Sequence, residues 1–72
     1  MVLELFRQKA KEFFDASLLE SIRPLYLKDG ILTVAVLSPI LAQEIKLHEP
    51  LILAHINEKV GRKIVEHLRF LS

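Results

Sequence analysis

The chain has 72 residues, 51% of them hydrophobic and 26% charged, with a formal net charge of +1 and no cysteine. This length makes a single domain over residues 1–72, and the missing cysteine excludes disulfide staples and thiolate metal sites. The near-neutral balance excludes a polybasic arm, so any nucleic-acid binding has to come from local clustering of cations.

A domain this small buries only about 60% of the surface its unfolded chain exposes. Part of so apolar a chain must therefore face outward, and a large exposed apolar patch marks an interface with a partner or with a second copy. No apolar run approaches the roughly 18 residues of a membrane span, so no membrane partner is expected. The N-terminal stretch carries Glu4, Glu12 and Asp15 and has no small-residue cleavage site, so it does not read as a signal peptide. A cytoplasmic location is the expectation.

In chain order, residues 3–14 place Leu3, Phe6, Ala10, Phe13 and Phe14 on one stripe, with Arg7, Lys9, Lys11 and Glu12 mostly off it. That spacing predicts an amphipathic helix. Asp15 to Ser17 closes it or opens a short extra turn. Asp29-Gly30 is a strong signal for a two-residue type I′ hairpin turn, which needs positive φ at both central positions. Pairing Lys28 with Ile31 sets Leu27 opposite Leu32, Leu25 opposite Val34 and Arg23 opposite Val36. Tyr26 then lies beside Thr33 and Pro24 beside Ala35. Pro24 cannot donate to a ladder, so its strand is an edge or begins there.

Ser38-Pro39 suits an N-cap followed by the first helical turn, which explains a strand running into a helix without a linker. The helix runs through Ile40, Leu41, Ala42, Ile45 and Leu47. Pro50 predicts a break near His48, with a further helix from about Glu49 to Val60 and Gly61 just beyond its end. The last segment, from Arg62, alternates as a third strand with Leu68 and Phe70 inward and Val65, His67 and Arg69 on the other side. The fold class is α+β, with helices on one face of a three-stranded sheet in the order α-β-β-α-β, the second helix broken near Pro50.

The sequence is poor in reactive groupings. His48, His55 and His67 form no metal-ligand pair of the HExxH kind. Ser17, Ser21, Ser38 and Ser72 lack a Ser-His-acid context, and Gly30 and Gly61 alone cannot cradle a phosphate. Glu44, Glu49, Glu58 and Glu66 read as solvated positions. No enzyme, metal or cofactor is expected.

Binding remains. Lys59, Arg62 and Lys63 flank Gly61 at one helix terminus, as candidates for nucleic-acid phosphates or an acidic partner; complementing the helix dipole is the competing explanation. If the third strand pairs with the hairpin, Tyr26, Lys28, His67 and Arg69 have the parity to share the outward sheet face, where an aromatic with cations can stack bases and neutralise phosphates. That face could equally pair two copies. The apolar run Leu51 to Asn57 covers more than one helical stripe, making Leu51, Ile52 and His55 the candidates for a protein interface.

Arg23-Pro24, Asp29-Gly30, Leu32, Val34, Ala42-Gln43-Glu44-Ile45 and Leu68-Arg69-Phe70 stand in an order and spacing that resembles the DciA family of bacterial replicative-helicase loaders. The likeness spans roughly residues 13–70. It implies a KH-like domain and a non-enzymatic accessory, without nucleotide hydrolysis of its own. It also implies two partners: the replicative DNA helicase and the single-stranded DNA on which that helicase is loaded. Two departures stand out. The family often has a tryptophan and a Val-Gly before the first strand, absent here. Many members also carry a long basic tail, whereas this sequence stops at Ser72, either as a truncated piece or as a minimal member in which the folded surface does the docking. No GxxG loop is present, so the nucleic-acid mode of true KH domains does not carry over. A stand-alone nucleic-acid module and a structural homodimer are the alternatives.

Overall fold

A computed structural model describes residues 1–71. The elements are α1 (Val2–Ala10), α2 (Ala16–Leu19), β1 (Ile22–Lys28), β2 (Ile31–Val36), α3 (Pro39–Leu47), α4 (Glu49–Val60) and β3 (His67–Leu71). This is the expected order with α2 inserted as a single turn. α1 stops at Ala10, short of the expected Phe14, because Asp15 starts a new helix. Its carboxylate accepts the Leu18 N–H at 3.1 Å and the Ser17 hydroxyl at 2.8 Å. Those bonds, the Ser17 hydroxyl first, hold its pKa below the ordinary carboxylate value. The linked stabilisation is present above that ordinary value and fades as pH falls through the lowered one.

The hairpin turn has φ of 52° at Asp29 and 79° at Gly30, as a type I′ turn requires. Lys28↔Ile31, Leu27↔Leu32 and Tyr26↔Thr33 pair as the sequence predicts. Beyond them the register shifts at a bulge, so Pro24 faces Val34, Arg23 faces Ala35 and Ile22 faces Val36. The expected pairs Leu25–Val34, Pro24–Ala35 and Arg23–Val36 are therefore corrected. Unbroken alternation would aim the Arg23 guanidinium into the core. The extra residue reverses the parity, burying Ile22 and Pro24 and returning Arg23 to solvent. β1 is an edge strand, which accommodates Pro24.

β2 is central, antiparallel to β1 and parallel to β3. A parallel pair needs a long crossover, and α3 and α4 supply it. Ser38 caps α3 by accepting the Leu41 N–H at 3.3 Å. The break falls at His48, with φ −97° and ψ 6°. Its ring stacks on Phe13, with centroids 4.0 Å apart and planes 9° apart, and meets Phe14 edge-on at 6.1 Å. The joint between the two helices is thus pinned to the chain that follows α1.

The core joins Phe6 of α1, Leu32 and Val34 of β2, Ile45 of α3, Ile52 and Ile56 of α4, and Val65, all essentially inaccessible. The third strand starts at His67, later than alternation suggested. Asn57 captures the preceding backbone: its Oδ1 accepts the N–H groups of Ile64 and Val65 at 2.9 and 3.0 Å, and its Nδ2 donates to the Val65 carbonyl at 2.9 Å. Val65, expected on the outward side, is buried as a result. Glu49 is not merely a solvated helix position. Its Oε2 accepts the Leu68 N–H at 2.8 Å, covering part of the exposed edge of β3. Among the described residues, no helix is long and apolar enough to cross a membrane.

Candidate nucleic-acid and partner interfaces

The strand register decides what the helix-free sheet face displays. Tyr26, Thr33 and Arg69 lie in one row across the three strands, and Lys28, Ile31 and His67 in the next. The sequence-predicted group of Tyr26, Lys28, His67 and Arg69 is therefore brought together, and all four are exposed. A third row holds Arg23, Ala35 and Leu71. Arg23 was missed because the bulge reverses its side. The available signal was the charge itself, at a position where strict alternation demanded an apolar residue. No strand residue on this face is acidic. Between the first two rows lies a shallow depression of about 290 Å³, lined by Tyr26, Lys28, Asp29, Ile31, Thr33 and Arg69.

Lys59, Arg62 and Lys63 are all exposed, and none forms an ion pair within the described residues. Gly61, at φ 91°, turns the chain out of α4. The N–H groups of Gly61 and Arg62 both donate to the Asn57 carbonyl, at 2.8 and 3.1 Å, the wrapped C-terminal geometry that glycine permits. The loop returns to the hairpin tip, where the Gly30 carbonyl accepts the N–H groups of Glu66 and His67 at 2.7 and 3.2 Å. The basic helix end and the tip of the β-hairpin thus belong to the same end of the molecule.

Of the three apolar-run candidates, Leu51 is 54% exposed and Ile52 is fully buried. Ile52 is corrected from an interface residue to a core residue, because α4 turns that stripe onto the sheet. His55 is half-buried, and its Nε2 is inaccessible with no hydrogen-bond partner. A buried unsatisfied nitrogen costs about 1–3 kcal/mol. His55→Leu is accordingly expected to raise stability by about 1 kcal/mol, seen as a higher urea midpoint at unchanged slope.

The outward apolar surface anticipated from composition also appears elsewhere. Leu37 and Ile40, at the start of α3, are 79% and 74% exposed, and Leu47 beside the helix break is 74% exposed. Sequence periodicity had placed Ile40 and Leu47 with Leu41 and Ile45, but only the latter two reach the core. Ile40 borders a groove of about 620 Å³ between α3 and β3, whose walls include Val36, Gln43, Lys46, Phe70 and Leu71. Among the described residues, no three histidines or carboxylates converge as a metal site.

These features define a small α+β domain with two differing outer surfaces, a cationic sheet face and an aliphatic helix side. Residues 2–70 match the family model described as Dna[CI] antecedent, DciA, and the chain belongs to the DciA family. That family is associated with helicase loading. No curated protein and no solved structure is significantly similar to the chain.

Proposed function

We propose that this DciA-family chain is a non-enzymatic helicase loader, which binds the replicative DNA helicase and assists its placement on single-stranded DNA. The division of the surface carries this reading. Tyr26, Lys28 and Arg69 share a sheet face without acidic strand residues, suited to a polyanion. Leu51 projects from the other layer, suited to an apolar protein contact. A molecule that brings two partners together needs two such surfaces, and they lie on different layers of this fold.

Lys59, Arg62 and Lys63 extend the cationic surface at the hairpin end, toward DNA phosphates or an acidic patch on the helicase. The test is a mixing assay with the host's replicative helicase, followed by size exclusion and unwinding measurements. Reversing all three charges to glutamate is expected to reduce helicase capture or DNA binding. If DNA is the ligand, losing three phosphate contacts flattens the log–log salt dependence by about 2. Unchanged helicase capture and unchanged DNA binding would reject the role of this cluster.

The cationic sheet face also favours a second reading, a nucleic-acid module that acts alone. It predicts DNA binding with a steep salt dependence and no helicase complex. A homodimer through the same face would show as a mass that falls on dilution in light scattering.

A further inference from the structure

Resting on the reading that the chain works on single-stranded DNA, we infer that the sheet-face depression is a pocket for one unpaired nucleobase. Tyr26 is its stacking wall, and the Asp29 carboxylate accepts a hydrogen bond from the base's amino group. The depression is framed by Tyr26 of β1 and Arg69 of β3, with Thr33 between them in the same row. Thr33 is 1% exposed and forms the floor, whereas Tyr26 is 49% exposed and offers its ring to solvent. Lys28 and Arg69 stand on different strands at the rim, placed for phosphates on either side of a bound nucleotide. Aromatic stacking on a sheet flanked by cations is how single strands are held without duplex geometry.

Asp29 makes the site more specific than a phosphate track. It is the only carboxylate lining the depression, and it forms no ion pair among the described residues. The turn holds it at φ 52°, and the Gly30 carbonyl ties that turn to Glu66 and His67. A negative charge here weakens plain attraction for a polyanion. It favours a base that brings an exocyclic amino group to the same spot, as cytosine and adenine do; thymine carries no amino group, and its one donor, the N3–H, sits on the ring rather than beyond its edge. A base paired within a duplex cannot lay its face on Tyr26.

The experiment measures fluorescence anisotropy with short labelled oligo-dC, oligo-dA and oligo-dT, and a duplex control, alongside helicase capture by the same variants. The wild-type chain is expected to bind oligo-dC and oligo-dA more tightly than oligo-dT, and the duplex more weakly than any preferred single strand. Tyr26→Ala weakens binding to all single strands on the order of 10-fold with the thermal transition unchanged. Asp29→Gly keeps a turn residue tolerant of positive φ. It narrows the dC-to-dT difference and leaves oligo-dT bound as well or better. Equal wild-type binding of oligo-dC and oligo-dT, or an unchanged ratio in Asp29→Gly, overturns the pocket. So does competition by polyglutamate that Tyr26→Ala leaves untouched, the mark of a general acidic-ligand surface. If helicase capture persists while base preference is absent, the pocket alone fails. If the wild-type chain captures neither helicase nor DNA, the loader reading fails with it.

Discussion

Ile52→Glu is expected to unfold the domain, whereas the same change one residue earlier, Leu51→Glu, leaves it folded. Ile52 is fully buried on the inner stripe of α4, while Leu51 is 54% exposed. Glutamate at position 52 forfeits roughly 1.5–3 kcal/mol of apolar burial and places an unpaired carboxylate in the core, which adds several kcal/mol more. A chain of 72 residues has a total stability of roughly 4–11 kcal/mol, so the combined loss removes most or all of it. Circular dichroism at 25 °C would lose its native signature. If the Ile52→Glu ellipticity and melting matched wild type, the placement of this stripe in the core would be wrong. Ile52→Ala supplies a graded check at about 2–5 kcal/mol. At Leu51 the substitution is expected to change stability by no more than about 0.5 kcal/mol. A folded Leu51→Glu variant with undiminished helicase capture would remove Leu51 from the proposed interface.

Asn57→Ala is the second large effect, expected to cost about 2–4 kcal/mol through the loss of three side-chain hydrogen bonds. Oδ1 and Nδ2 together satisfy the Ile64 N–H and both backbone groups of Val65. Val65 is fully buried, so water cannot readily replace what is lost, and an orphaned buried group costs about 1–3 kcal/mol. The wider consequence is positional. The segment from Arg62 to Glu66 would lose its hold on α4, loosening Arg62 and Lys63 and the start of β3. Hydrogen exchange should accelerate at Ile64 and Val65 before it does in β2. Asn57→Asp keeps the two accepted bonds and loses the donated one, so its cost should fall between wild type and alanine. Equal costs for the two variants would contradict the clamp.

The proposed loader role gives the thin architecture a purpose. Helices cover one face of the sheet only, and β1, β2 and β3 therefore present a second face on which the two edge strands contribute exposed cations, Arg23 and Lys28 from β1 and Arg69 from β3, and the central strand none. The central strand supplies instead the small residues Thr33 and Ala35, with Ile31 at the hairpin end.

Much of the fold was legible because it rests on local chemistry. Asp29-Gly30 demands its turn, Ser38-Pro39 its helix start, Pro50 a break nearby and Gly61 an end, each through backbone sterics or a nearby hydrogen bond. The parity that puts Tyr26 and Lys28 on one face was legible for the same reason, since near the turn the register propagates without interruption, whereas His67 and Arg69 join them only through the parallel pairing of β3 with β2. What tertiary structure alone decided depends on contacts distant in sequence. The bulge at Leu25 exists because Ile22, not Arg23, has to meet the core. Val65 is buried, and β3 delayed, because Asn57 lies eight residues earlier and one turn of helix away from the chain it grips. Ile52 and Leu51 were indistinguishable in an apolar run whose stripe is too broad to orient the helix. Which of them faces inward was settled only when α4 packed against the sheet.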